Sequence, residues 1–370
     1  MTGGQGTDQL ARALAPYLFV DSAPRLVLLA VSGGPDSTAL MYAAASGAPE
    51  RSLAVATVDH ALRPDSTREA ENVGQLARRL GLRHAILTWD TRPRGGIQAG
   101  ARAARYRLLA SHAAEIGASL VLTAHTADDQ AETVLMRLMA GSGPAGLAGM
   151  ARERVLGAGI RLARPFLDIP KAELVDYCRA NALSFVHDPS NADDRFTRAR
   201  LRTLMPSLAA EGLTRERLMR LADRLARDEA ALSRGARDLL EAARRPAVPS
   251  AFALDGAALL AASEAITLRA LDRAIESVQP DPRRATPRRL ERLERLVFDG
   301  LLPALSQGTR LRRTLRGTLV EVAPAGLVTI ALAPPRRSAR NDDTDSRAAA
   351  PSDLLGKAGG GAYIGEACPE

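Results

Sequence analysis

The sequence predicts an α/β protein, a parallel sheet wrapped by helices, followed by a smaller helical domain. Three observations carry this. Short apolar runs alternate with helix-length stretches through the first half of the chain. The first run ends in the turn Ser-Gly-Gly-Pro-Asp-Ser, which leads directly into a helical segment. From Thr214 onward the alternation stops, and apolar residues recur at spacings of three, four and seven. Parallel strands need helical crossovers that cover both faces of the sheet, and such sheets bind ligands outside the carboxyl ends of their strands.

Taken in order, residues 1–23 form a helical lead-in, and 24–210 the nucleotide-sized domain. Its strands are expected at Leu26 to Val31, Leu53 to Val58, His84 to Trp89 and Leu120 to Thr123, each short, apolar and turn-bounded. Helices fill about 36–46, 66–81, 98–116 and 127–140. A further apolar stretch, Ile160 to Phe166, precedes a helix opened by Pro170. In residues 211–300, Leu218, Leu221, Leu225, Leu232, Ala236 and Leu239 make one apolar stripe on a long helix. More helices are expected at about 256–277 and from Thr286-Pro287 to Phe298. Residues 301–333 alternate weakly, as a small hairpin would, and 334–370 have the composition of a disordered tail.

Composition narrows the function. With aromatics at 3%, the cores rest on Leu, Val, Ile and Ala. No apolar run is long enough to span a membrane, and no basic-then-apolar leader opens the chain, so a cytoplasmic protein is expected. The two cysteines, Cys178 and Cys368, belong to no Cys-x-x-Cys pair, which argues against structural zinc, an iron–sulfur cluster or a disulfide framework. Fifty basic against 42 acidic residues give +8, and Lys171 and Lys357 are the only lysines. Arginine forks match phosphate, so a polyanionic partner fits; an arginine-rich solvated surface fits equally well.

The turn Ser32 to Ser37 is a phosphate cradle. Gly33 and Gly34 let the backbone turn and bare its N–H groups, Ser32 and Ser37 add hydroxyls, and Pro35 starts a helix whose positive end faces the ligand. The loop lacks the lysine of a Gly-x-x-x-x-Gly-Lys nucleotide loop and carries Asp36 instead. A carboxylate beside a phosphate needs a cation between them, so Asp36 implies a divalent metal, most simply Mg2+.

Two further constellations fall at the same rim. Asp59, His60 and Arg63 follow the second strand and are candidates for nucleotide or substrate contact, or else a cap and a solvent histidine. After the fourth strand come His125, Asp128, Asp129, Glu132 and Thr133; His125, Asp129 and Thr133 are spaced by four and are expected on one side of a helix. Such an acidic group can bind magnesium or an ammonium, or relay a proton. Arg102 with Arg105 or Tyr106 makes a basic helix side suited to a phosphate.

These residues resemble a known family. Ser32 to Ser37 is similar to the pyrophosphate loop of the N-type ATP pyrophosphatases. Together with Asp59 to Arg63, Ala101 to Tyr106, His125 to Thr133, Arg164-Pro165-Phe166-Leu167, Asp188 to Asn191 and Arg195 to Arg202, the set resembles the bacterial tRNA(Ile)-lysidine synthetases. The resemblance is strong over about 24–210 and only in outline beyond. Where many relatives carry Arg-Asn, this chain has Arg198-Ala199.

The resemblance implies an adenine-nucleotide alpha-hydrolase-like (PP-loop ATPase) domain and an ATP-dependent carbon–nitrogen ligase. Its substrates would be ATP with Mg2+, free L-lysine and tRNA(Ile) with a CAU anticodon. The carbonyl oxygen on carbon 2 of the wobble cytidine would be adenylated, and lysine's side-chain amine would then attack that carbon and displace AMP. On this basis Ser32, Gly33, Gly34, Pro35, Asp36, Ser37, Asp59 and His60 would hold the nucleotide, with Asp36 also holding the metal. Asp36, Arg105, His125 and Asp129 would be catalytic, Asp129 and Glu132 would take lysine, and Arg63, Arg195, Arg198, Arg200 and Arg202 would contact tRNA. A homodimer is compatible with this superfamily.

Three other readings compete. A tRNA 2-thiolating enzyme activates a similar carbonyl but would be expected to use paired cysteines or a cluster. An amidotransferase-linked ligase would need a glutamine-hydrolysing domain, internal or partnered, and the segment before Ser32 is too short for an internal one. A non-catalytic nucleotide- or RNA-binding module would not need Ser32, Asp36, Ser37, His125 and Asp129 all intact.

Overall fold

The apolar runs of the first half assemble into a six-stranded sheet. Its strands are β1 (Leu26–Ala30), β2 (Ser52–Asp59), β3 (Arg83–Thr88), β4 (Leu120–Thr123), β5 (Glu153–Gly157) and β6 (Ile160–Ala163), in the order β3-β2-β1-β4-β6-β5. All neighbours are parallel except β5, which runs antiparallel to β6 at the edge. Because strand side chains alternate, Val27 and Leu29 enter one core and Leu28 the other, all three fully buried. That two-sided burial is why β1 has no polar residue. This computed structural model describes residues 3–19, 26–47, 52–59, 66–89, 97–157, 159–186, 197–246, 251–279 and 290–334. His60, Arg63, Asp188 to Asn191, Arg195, Thr286-Pro287 and the tail from 335 lie outside the described residues.

One face of the sheet is covered by α1 (Gly3–Leu18), α2 (Pro35–Gly47), α3 (Ser66–Arg79) and α7 (Lys171–Ala180), which share one core. The lead-in helix α1 is therefore built into the first domain, through Leu10, Leu14, Tyr17 and Leu18. The other face is covered by α4 (Ile97–Glu115), through Leu109 and Ala113. Next in the chain come α5 (Ala127–Met139), the single turn α6 (Pro144–Leu147) and α8 (Thr197–Ala210).

The long helix α9 (Arg215–Ala243) starts where expected, with the Thr214 hydroxyl accepting from Arg217 N at 3.3 Å. Its stripe is rotated from the sequence reading: Leu218, Ala222 and Ala236 are buried, whereas Leu221 is exposed. Near its start, α9 packs Leu218 and Ala222 against Ala131 and Val134 of α5. The helix carrying the site acids is thus held from behind by the second module.

That module is not purely helical. The strands β7 (Arg244–Arg245), β8 (Ala251–Asp255), β9 (Leu311–Leu315), β10 (Thr318–Val322) and β11 (Leu327–Leu332) form an antiparallel sheet, order β7-β8-β11-β10-β9. The expected hairpin of 301–333 is part of this sheet and shares one apolar core with the helices, from Ala243 to Ile330. The stretch 256–277 is two helices, α10 (Gly256–Ala261) and α11 (Glu264–Val278), because Ala262 and Ser263 adopt extended backbone between them. The segment α12 (Leu290–Leu296) continues through a π turn (Val297–Leu301) into α13 (Leu302–Ser306), so the chain stays helical past Phe298. Among the described residues, no helix is long and apolar enough to cross a membrane.

Candidate active site at the carboxyl ends of β1 and β4

Strand order reverses between β1 and β4, and the crevice beyond their carboxyl ends receives both motif-bearing loops. After β1, Gly33 adopts φ +88°, and a Cβ there would lie 3.2 Å from Val73 Cγ2, so the position demands glycine. The loop is braced from inside. Val186 N donates to Gly33 O at 2.9 Å, Ser37 Oγ donates to Gly34 O at 3.1 Å, and Ser32 N donates to Ser37 Oγ at 3.1 Å. Ser37, buried, therefore shapes the loop, whereas Ser32 is exposed. Pro35 begins α2, where its missing N–H costs no hydrogen bond.

Asp36 follows. Its Oδ2 accepts from Lys171 Nζ at 2.5 Å, while its Oδ1 is buried without a hydrogen-bond partner. Burial pushes this carboxyl above its ordinary range; Lys171 opposes the shift without cancelling it. The cation that the sequence argument required beside Asp36 is thus already supplied by the protein, from 135 residues away. Among the described residues no group of three or more His, Cys, Asp or Glu side chains could cage a metal. The one unpartnered Asp36 oxygen does fit magnesium arriving with phosphates, which uses few protein ligands.

After β4, α5 begins at Ala127 as expected, which leaves His125 ahead of the helix. Thr126 is the N-cap of α5 and forms a capping box with Asp129. Asp129 Oδ2 accepts from Thr126 N at 2.9 Å, and Thr126 Oγ1 accepts from Asp129 N at 3.3 Å. His125 therefore precedes the helix and does not share a helical side with Asp129 and Thr133. Its Nδ1 lies 2.9 Å from Thr123 Oγ1. Burial lowers its pKa to about 3; Asp129 opposes this, and Arg164, Arg102 and Arg198 reinforce it. The imidazole is neutral at pH 7. Burial would raise the Asp129 carboxyl, but the Thr126 hydrogen bonds and His125 outweigh it and hold Asp129 below its ordinary range.

Glu132 is buried and faces α8. Arg202 Nε donates to its Oε1 at 2.6 Å, and Arg198 Nε stands 3.9 Å from its Oε2. Its pKa is raised by burial, against the pull of Arg202. Two of the arginines assigned to tRNA thus meet a carboxylate of the site, while Arg200 is exposed and donates to Thr197 Oγ1 at 3.2 Å. Asp128 accepts from Lys171 N at 2.7 Å and from Arg215 Nη1 at 3.4 Å, tying α5, α7 and α9 together. A cavity of about 530 Å³ opens beside Asp128, Glu132, Arg202 and Arg215.

The remaining candidates have partners of their own. Asp59 is buried and accepts from Thr67 Oγ1 at 2.8 Å, fixing the start of α3. Arg105 stands on α4, where loss of solvent around its guanidinium lowers its pKa and the charges of Arg102 and Arg198 add to the fall. Tyr106 is flanked by Arg102 and Arg154, with their guanidinium carbons 5.3 and 4.2 Å from the ring centre.

Comparison with known proteins agrees with this geometry. Residues 7–208 match the PP-loop domain family. The chain is 56% identical to the tRNA(Ile)-lysidine synthase of Methylobacterium sp. (strain 4-46) over 89% of its length and 95% of that protein's. It is 47% identical to the enzyme of the same name from Rhodopseudomonas palustris, over 90% of this chain and 98% of the other. The chain belongs to the tRNA(Ile)-lysidine synthase family. Its fold is also that of the U34-tRNA thiolase NcsA from Methanococcus maripaludis, solved with its 4Fe–4S cluster. That match has a TM-score of 0.50 and 17% identity, and covers 60% of this chain and 80% of the thiolase.

Lys171 and Arg215 join the crevice beside Asp36 and Asp128 without a sequence expectation of a role for either. The usable signals were a lone lysine in an arginine-rich domain, placed directly after Pro170, and an arginine directly after the Thr214 cap.

Proposed function

We propose that this chain uses ATP to adenylate the carbonyl oxygen on carbon 2 of the wobble cytidine in CAU-anticodon tRNA(Ile), releasing pyrophosphate. It then joins that carbon to the side-chain amine of free lysine, giving lysidine and AMP and moving codon reading from AUG to AUA. The observation that carries this is the crevice itself: a glycine-built phosphate loop and a buried, arginine-covered acidic helix start share the rim between β1 and β4. A cytoplasmic enzyme acting where its tRNA resides fits this reading.

The residues divide the two steps. Gly33, Gly34 and the start of α2 would hold the β,γ-phosphates and leave the α-phosphorus open to the cytidine oxygen. Asp36 Oδ1 would hold magnesium, which supplies charge neutralisation when bound. His125, neutral at pH 7, can offer a hydrogen bond but no charge, so charge on the adenylating transition state falls to Arg105. In the second step Asp129, fixed as an anion, suits the lysine ammonium. Glu132, with its raised pKa, is the better proton acceptor. The cavity beside Glu132 offers both carboxylates and guanidiniums, as a zwitterionic amino acid requires.

Sulfur transfer fits less well. Cys178 is fully buried, donates to Pro35 O at 3.3 Å and is pushed up to about 11 by burial and the Asp36 charge, so it holds no thiolate at neutral pH.

The test is incorporation of labelled lysine into CAU-anticodon isoleucine tRNA with ATP and magnesium, beside methionine tRNA and the Asp36→Ala variant. Incorporation confined to the isoleucine tRNA and lost in the variant is expected. Pyrophosphate release without lysine incorporation would keep adenylation and replace the nucleophile.

A further inference from the structure

We propose that Lys171 is the phosphate-binding cation of this loop, held on Asp36 in the free protein and transferred to the pyrophosphate group when nucleotide binds. The inference rests on the reading that the loop takes the β,γ-phosphates of ATP. A loop built from Ser32 to Ser37 contains no basic side chain, yet a pyrophosphate brings several negative charges to a site already carrying Asp36, Asp128 and Asp129. Lys171 Nζ, 2.5 Å from Asp36 Oδ2, stands at the second residue of α2, beside the loop whose amides face the anion.

Three details separate this from a plain surface ion pair. The backbone of Lys171 is anchored, with its N–H on Asp128 Oδ2 at 2.7 Å, while its side chain is 41% exposed, so the ammonium can swing from a fixed root. Asp36 Oδ1 remains buried and unpartnered, so a metal ion on that oxygen does not require the lysine to leave the site. A second cation on the carboxylate weakens its hold on the ammonium, which a phosphate bound in the loop can then receive. Finally, a compact, flexible ammonium stands here in a chain whose basic residues are otherwise arginine, Lys357 apart. A point charge on a long stem suits a phosphate that must be released as product better than a bidentate fork does.

The test uses the full chain with inorganic pyrophosphate and magnesium as the probe. Calorimetric titration of wild type, Lys171→Met and Lys171→Arg should show binding weakened about tenfold or more in the methionine variant and largely restored by arginine. Because there are only two lysines, 13C labelling of lysine at the ε carbon gives two signals, and Lys357→Arg leaves that of Lys171 alone. That signal should move further with magnesium pyrophosphate than with magnesium alone. Equal pyrophosphate affinity in Lys171→Met, or a Lys171 signal unmoved by saturating pyrophosphate, would overturn the proposal while leaving the ATP reading intact. Failure of wild type to bind pyrophosphate at all would instead remove that reading and the proposal with it. Should Lys171→Met not fold, the arginine variant and the resonance of the native side chain still decide.

Discussion

The two modules of this chain bury different things. Among the described residues, the buried polar side chains of the first module include Ser37, Thr38, Asp59, Thr123, Thr126, Gln130, Glu132, Thr133 and Arg164, whereas the second buries only Thr267 and Thr318. Unpaired buried polar groups are costly, so a module that keeps many of them must satisfy them with specific partners. The first satisfies most of them, with Gln130 alone exchanging two hydrogen bonds with the Met150 backbone at 3.1 and 2.7 Å, and leaves Asp36 Oδ1 unpartnered at the loop. The second module instead joins helices and an antiparallel sheet through an apolar core. The contrast separates chemistry from support: polar order is concentrated where charges must be aimed, and apolar packing holds α5 from behind.

The comparison can be broken first in the apolar module. Leu271 is fully buried in its core, and Leu271→Ala should cost about 3 kcal/mol of stability. Denaturant unfolding would measure that loss, and pyrophosphate release per folded molecule should be unchanged. The converse holds at the rim. Gly33→Ala places a Cβ against Val73 in a backbone region that disfavours it, and should lower pyrophosphate release about 100-fold with a smaller loss of stability.

A smaller effect comes from His125. Its folded pKa of about 3 lies below the unfolded value of 6.5, so above pH 6.5 the folded state loses nothing to protonation. As pH falls below 6.5 the unfolded chain takes a proton that the folded one refuses, and stability drops until about pH 3. The slope is at most about 1.4 kcal/mol per pH unit. Thermal unfolding at pH 7 and pH 5 should therefore show a smaller acid loss in His125→Asn than in wild type. Asp36 and Glu132, raised by burial, act with the opposite sign in both proteins and drop out of the difference.

How much was legible in the sequence follows the same division. The strands β1, β2 and β4 are apolar on both faces and were readable as runs; β5, with Glu153 and Arg154 on an exposed edge and Val155 68% exposed, carried no such signal. In the second module the hairpin of 301–333 is legible, but β8 is not, because its partner β11 lies far along the chain and no local pattern announces the pairing. The start of α5 at Ala127 is legible, but the spacing of four through His125 places that histidine on the helix, whereas the Thr126 cap with Asp129 leaves it before the first turn. The phosphate loop was legible because its chemistry is local. The ion pairs that arm the site join residues 70 and 135 apart, and no local pattern announces them.

The central claim is that one rim performs two separable steps, activation at the loop and transfer at the acidic helix start. The most direct measurement follows pyrophosphate release and labelled-lysine incorporation together, in wild type and Glu132→Gln, with CAU-anticodon isoleucine tRNA. The account predicts one pyrophosphate per lysine in wild type, and in the variant a burst of pyrophosphate with lysine incorporation lost. Equal loss of both signals in a folded Glu132→Gln protein, or undiminished lysidine formation, would contradict it.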